Sequence, residues 1–133
     1  MDLNKQKGKN VGVVKDIFNK FKYSFQGIGY CFKNETSFIF QAIAIVLGTV
    51  LAIVFKISLV KYAISMISLL NIMVVELLNT GIEATVDMVT KEFNPYAKIA
   101  KDCGSGATCI ATFIATIVNL IIFLPYIIDL FVK

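Results

Sequence analysis

The chain has 133 residues, of which 57% are hydrophobic and 17% charged, and its mean hydropathy is +0.77. Soluble domains carry roughly 45–50% apolar and about 25% charged residues, so this composition excludes an ordinary soluble domain and indicates a membrane protein. The length allows one domain and no separate soluble catalytic module. The net charge is +4, but in so apolar a chain we expect no nucleic-acid partner.

Residues 1–34 form a basic, amphipathic segment. Seven lysines precede the first long apolar segment, and such an excess predicts that this end stays in the cytoplasm. Apolar residues then recur at three- and four-residue spacing, as at Val14, Phe18, Phe21 and Phe25. After a polar tail, this pattern predicts an amphipathic helix on the membrane surface.

Three long apolar segments follow, at about 38–55, 62–80 and 107–132, the last broken near Pro125. Each has about the 20 residues that a bilayer-spanning helix needs. We therefore predict an all-α integral membrane protein in which residues 1–133 form one domain. Three spans place the N-terminus and the connection at 85–103 on the cytoplasmic side.

One helical stripe of polar side chains crosses from the second apolar segment to its cytoplasmic edge. Glu76, Glu83 and Asp87 are spaced by seven and then four residues, so they lie on one helix face with Asn79 and Thr80 between them. A carboxylate inside a membrane helix is costly and by default marks a functional site. We interpret this stripe as the centre of an active site.

Two other interpretations of the stripe remain open at this point. Polar side chains also join membrane helices through hydrogen bonds, although several carboxylates are unusual for that purpose. A buried carboxylate such as Glu76 also suits a small proton-coupled transporter, in which it binds proton and cation in turn.

The cytoplasmic connection carries a second group of polar residues. Pro95 indicates the first turn of a new helix, on which Lys98 and Lys101 lie one turn apart. These lysines either face phosphates or solvate the cytoplasmic end of a helix. The small residues at 104–107 favour close approach of two helices, and the segment is not a phosphate-binding loop because no GxxxxGK[ST] sequence occurs in it.

The run Glu76-x-x-Asn-Thr-x-Ile-Glu-x-x-Val-Asp87, followed by Ala100-Lys-Asp102 and a patch of small residues, resembles a known signature. It is similar to that of the bacterial integral-membrane diacylglycerol kinase and undecaprenol kinase family. The resemblance extends over nearly the whole chain, including Asn34 and Glu35. It implies a lipid kinase in the bacterial plasma membrane, assembled as a homotrimer with active sites at the cytoplasmic face.

The resemblance also implies roles for individual residues. Glu76 is expected to be the general base, with Asn79 arranging the site. Glu35 and Glu83 are expected to hold Mg²⁺ on the phosphates of ATP. The residues expected at the nucleotide are Tyr23, Glu35, Glu83, Glu92, Asn94, Lys101 and Asp102. Family members carry basic residues near Gly29 and Ile39 that are missing here, and Lys22 or Lys33 is the candidate replacement.

The lipid substrate depends on a weaker likeness. The stretch from Asn94 to Asp102 is more similar to the undecaprenol kinases of Gram-positive bacteria than to Gram-negative diacylglycerol kinases. We therefore expect undecaprenol as the acceptor, with diacylglycerol, giving phosphatidic acid, as the alternative. Both lipids use the same chemistry, and Mg²⁺-dependent ATP binding separates either kinase from the transporter.

Overall fold

The computed structural model describes residues 3–132, and their side chains from residue 13 onward. Four helices make up this part of the chain: α1 (Leu3–Asn34), α2 (Thr36–Val54), α3 (Leu59–Val89) and α4 (Pro95–Val132). No strand occurs among the described residues. The predicted all-α class is confirmed for them.

The chain divides into two compact units, one ending at Glu35 and one beginning at Thr36. The first unit is the helix α1, whose aromatic side chains Phe18, Phe21 and Phe25 are exposed. The second unit contains α2, α3 and α4. A helix thus occurs where the amphipathic one is expected, while its place on the membrane surface stays a prediction.

The three helices of the second unit are each long and apolar enough to cross a membrane. Two of them extend beyond the predicted apolar segments, because α3 continues to Val89 and α4 already begins at Pro95. The expected break near Pro125 was wrong, since this residue lies inside α4. Proline removes one backbone donor, but the turns on both sides keep their bonds, so a membrane helix tolerates it.

A Schellman turn ends α2 and directs the chain into α3. Lys56 has a φ of 49°, and the amide of Ile57 donates to the carbonyl oxygen of Ala52 at 3.2 Å while that of Lys56 donates to Ile53 at 3.2 Å. Ile57 also packs against the buried cluster that contains Ala52, and an apolar contact of this residue is usual for the motif. Ser58 then caps α3. The turn is therefore short enough to make α2 and α3 antiparallel neighbours.

The central helix is α3, which packs against both α2 and α4. Its Leu69 and Ile72 form a buried cluster with Ala111 and Ala115 of α4. The two alanines recur at four-residue spacing and allow the helix backbones to approach closely. This packing fixes the register of α4 along α3, and so determines which residues meet at the site below.

A hydrogen-bond network of polar side chains joins α3 and α4 away from the carboxylate stripe. The fully buried hydroxyl of Ser65 donates to Asn119 Oδ1 at 2.6 Å. Asn119 Nδ2 in turn donates to the Ser68 hydroxyl at 3.1 Å and to the Ala115 carbonyl oxygen at 2.8 Å. Interhelical hydrogen bonds of this kind stabilise membrane bundles, and in this network the bonded side chains are all neutral.

A five-residue connection leads from α3 to α4. Thr90 caps α3 by donating its amide to the Val86 carbonyl oxygen at 3.0 Å. Asn94 caps α4, because its Oδ1 accepts from the amides of Tyr96 at 2.9 Å and Ala97 at 3.3 Å. With Pro95 as the first helical residue, this matches the start expected from the sequence.

Candidate active site

The polar stripe of α3 runs from a buried to an exposed environment. Glu76 is 6% exposed and Thr80 is 8% exposed. Glu83 is half-buried, and Asp87 is exposed. All four lie on the single helix α3, as the spacing predicts. A buried carboxylate is thus connected along one helix face to an exposed one.

Glu76 is hydrogen-bonded to the first turn of α2. The Ser37 hydroxyl donates to Glu76 Oε1 across the contact between α2 and α3. One turn further along α3, the Thr80 hydroxyl donates to the backbone carbonyl oxygen of Glu76 at 3.0 Å. Sequence reasoning missed Ser37, because helical periodicity relates residues within one helix and not residues 39 positions apart.

Asn79 and Glu83 lie in contact, one turn apart. Asn79 Nδ2 donates to Glu83 Oε1 at 3.1 Å. The other amide atom, Asn79 Oδ1, is buried and accepts no hydrogen bond from the described residues. It faces Gly104 of α4, where any added Cβ atom would collide with it. The close approach of α4 predicted from its small residues is therefore confirmed at Gly104.

A cavity of about 410 Å³ opens between the end of α3 and the start of α4. This volume lies in the range of about 300–1,000 Å³ that is usual for small-molecule sites. Its polar lining includes four residues expected at the nucleotide, together with two neighbours. These six are Asp87, Glu92, Asn94, Lys98, Lys101 and Asp102.

Two lysines of this cavity, Lys98 and Lys101, are engaged in ion pairs. Lys101 Nζ lies 2.6 Å from Asp87 Oδ1, which joins α4 to α3. Lys98 pairs with Asp102 within α4. Lys101 and Asp102 are thus adjacent in sequence but paired with different partners. Asn94 uses its side-chain oxygen to cap α4, which is a structural role separate from the nucleotide contact expected of it.

Two predicted site residues, Tyr23 and Glu35, belong to the first unit. Tyr23 is exposed on α1, and Glu35 is half-buried directly after this helix. The shared magnesium site of Glu35 and Glu83 therefore stays a prediction. Among the described residues no three acidic, histidine or cysteine side chains cluster as metal ligands, but Mg²⁺ commonly takes only one or two carboxylates beside the phosphates.

Comparison with known proteins identifies the family. Residues 22–123 match the model of the prokaryotic diacylglycerol kinases. The chain belongs to this family. It is therefore a lipid kinase of a bacterial membrane, whose reaction is nucleotide-dependent phosphoryl transfer. This membership favours the kinase over the proton-coupled transporter that the sequence left open.

Individual relatives include kinases that act on different lipids. The chain is 35% identical to the undecaprenol kinase of Bacillus subtilis over 109 residues, covering 82% of this chain and 89% of that protein. It is 34% identical to the diacylglycerol kinase of Escherichia coli K12 over 95 residues, covering 71% and 78%. A diacylglycerol kinase of Synechocystis is 31% identical over 121 residues, covering 90% and 69%.

Proposed function

We propose that this lipid kinase transfers the γ-phosphoryl group of ATP to the hydroxyl of undecaprenol, with Glu76 as the general base. The observation that carries the proposal is the setting of Glu76. Its carboxylate is buried within an apolar helix and begins a polar stripe that leads to the cavity between α3 and α4. A carboxylate at this depth suits a hydroxyl carried by a membrane lipid.

Glu76 would act on the proton of the acceptor. As the lipid oxygen attacks the γ-phosphorus atom, its proton passes to the Glu76 carboxylate, and ADP departs with the bridging oxygen. Phosphoryl transfer depends mainly on positioning and on charge neutralisation, and a base placed at the nucleophile contributes roughly 10²–10⁴-fold. Asn79 would maintain this arrangement through its hydrogen bond to Glu83.

Mg²⁺ is the metal that the donor set suits. Glu35 and Glu83 would supply two carboxylates, and the Asn79 amide group, whose Nδ2 donates to Glu83 Oε1, would orient one of them. Hard oxygen ligands of this kind are those that Mg²⁺ prefers. When bound, the metal neutralises charge on the transferring phosphates.

The nucleotide would occupy the cavity between α3 and α4. Lys101 is the cation expected at its phosphates, once it leaves Asp87. Asp102, Glu92 and Asn94 line the same cavity and would contact the nucleotide beside it. Tyr23 is assigned to this site by family resemblance, and Lys22 or Lys33 would replace the family's missing basic residues.

Undecaprenol is the acceptor we favour. The match to the Bacillus subtilis undecaprenol kinase covers 89% of that protein and 82% of this chain. This match includes the stretch from Asn94 to Asp102, whose likeness to the undecaprenol kinases of Gram-positive bacteria led us to expect this acceptor. Diacylglycerol is the second candidate, because the relatives of similar identity from Escherichia coli and Synechocystis are diacylglycerol kinases.

The active assembly we propose is a homotrimer with its sites at the cytoplasmic face. The seven lysines before the first span support a cytoplasmic N-terminus. With three spans, the same side then receives the connection between α3 and α4. The exposed apolar faces of α2, α3 and α4 are suited to lipid and to neighbouring subunits.

The test is phosphoryl transfer by the purified protein in mild detergent. Labelled Mg-ATP is supplied with undecaprenol or with diacylglycerol, beside the variant Glu76→Gln. We expect label in undecaprenyl phosphate at a higher rate than in phosphatidic acid, and its loss by 10²-fold or more in the variant. Faster labelling of diacylglycerol would show that diacylglycerol, and not undecaprenol, is the preferred acceptor. Undiminished transfer in a folded Glu76→Gln protein would remove Glu76 as the base.

A further inference from the structure

The hydrogen bond between Ser37 and Glu76 joins two different helices at the buried end of the polar stripe. Ser37 is the second residue of α2, and Glu76 lies in the middle of α3. The Ser37 hydroxyl is the donor and Glu76 Oε1 the acceptor. This contact therefore depends on the packing of α2 against α3 and not on the polar stripe itself.

A carboxylate in an apolar setting needs such a donor. Glu76 is 6% exposed, and a buried charge without a hydrogen bond is strongly destabilised. A hydroxyl that donates to a carboxylate makes a charge-assisted bond, which is about twice as strong as a neutral one. Because the glutamate side chain has several rotatable bonds, this contact also restricts where its two oxygens point.

We propose that Ser37 is a positioning residue for the reaction. It holds Glu76 Oε1, so that Oε2 is the oxygen that faces the lipid hydroxyl and takes its proton. The inference rests on the proposed role of Glu76 as the base. Ser37 itself neither gains nor loses a proton in this scheme, since its hydroxyl remains the donor throughout.

This contact differs from the hydrogen bond between Ser65 and Asn119, which joins α3 and α4 in the same bundle. The Ser65 hydroxyl is fully buried, and its hydrogen bond to Asn119 joins two neutral side chains. Ser37 is exposed at the start of α2, and its partner is the carboxylate. Removing Ser65 is thus expected to affect stability, whereas removing the Ser37 hydroxyl is expected to affect the chemical step.

The experiment compares two substitutions of equal shape. Ser37→Thr keeps a hydroxyl, and Ser37→Val replaces that hydroxyl with a methyl group. With the full chain in detergent, we expect Ser37→Val to lower kcat by about 10- to 100-fold, the scale of a misplaced catalytic group, with an unchanged KM for ATP. Ser37→Thr should keep kcat within about threefold of the wild type, and thermal unfolding verifies that both variants fold.

A double-mutant cycle with Glu76→Gln then separates the possible outcomes. If Ser37 acts through Glu76, Ser37→Val causes no further loss of the residual rate in the Glu76→Gln background. Equal kcat values for the Thr and Val variants, or a full additional loss in that background, would overturn the inference and leave Glu76 as the base. Full activity of Glu76→Gln alone would instead overturn the proposed function. If Ser37→Val does not fold, Ser37→Ala takes its place in the same cycle.

Discussion

Lys101 of α4 forms an ion pair with Asp87 at the exposed end of the polar stripe, with 2.6 Å between Nζ and Oδ1. Both residues line the cavity between α3 and α4, and the pair engages the lysine that we expect at the nucleotide phosphates. In the proposed site, phosphate binding and the ion pair would therefore compete for one cation.

This competition predicts opposite effects for the two partners. Lys101→Met should raise the KM for ATP by tenfold or more, because a phosphate contact is lost. Asp87→Asn frees the lysine and should lower that KM by no more than about fivefold, since an exposed ion pair contributes at most about 1 kcal/mol. Initial rates at varied ATP concentration measure both. A raised KM in Asp87→Asn would show that the pair holds Lys101 in its working position.

Gly104 is predicted to control the orientation of Asn79. An added Cβ atom would meet Asn79 Oδ1, and this flexible amide can move away with little cost to the fold. The movement breaks its 3.1 Å hydrogen bond to Glu83, so Gly104→Ala should lower kcat by about tenfold or more.

Gly106→Ala is the matched control for this prediction. A Cβ atom at Gly106 meets no atom within 4 Å, and alanine is the better helix former by about 1 kcal/mol. We expect wild-type kcat and equal or higher thermal stability. Equal kcat values for the two alanine variants would contradict the role given to Asn79.

Magnesium dependence tests the proposed metal ligands. Glu83→Gln and Glu35→Gln should each raise the Mg²⁺ concentration for half-maximal rate by about tenfold or more, because each removes a charged oxygen ligand. Asp129→Asn, an exposed carboxylate near the other end of α4, should leave it unchanged. The measurement is the rate at fixed ATP over a series of free Mg²⁺ concentrations. Unchanged magnesium curves for both glutamine variants would remove these residues as ligands.

The Ser65 network is predicted to affect stability without affecting the chemical step. Ser65→Ala removes the 2.6 Å bond to Asn119 and leaves a membrane-buried acceptor without this donor, which should reduce the free energy of unfolding by about 1 kcal/mol. Denaturation by dodecyl sulfate in mixed micelles measures this change, with Ser105→Ala, an exposed serine of α4, as the control. A large loss of kcat in stably folded Ser65→Ala would contradict a purely structural role for Ser65.

Much of the fold follows from local patterns. Apolar segments predicted α2, α3 and α4, because a helix that spans a bilayer needs about 20 predominantly apolar residues. Pro95 indicated the start of α4, since proline suits the first helical turn. The break predicted near Pro125 was wrong, because the hydrogen bonds of the neighbouring turns maintain the helix there.

The candidate site likewise contains two kinds of contact, those within one helix and those between different helices. The spacing of Glu76, Asn79 and Glu83 predicted one helix face, because a helix repeats every 3.6 residues. The bond from Ser37 to Glu76 depends on a contact between α2 and α3 that no periodicity encodes. Likewise, the partner of Lys101 depends on the register of α4 along α3. The sequence thus determined the helices and their polar face, whereas helix packing decided which side chains meet across them.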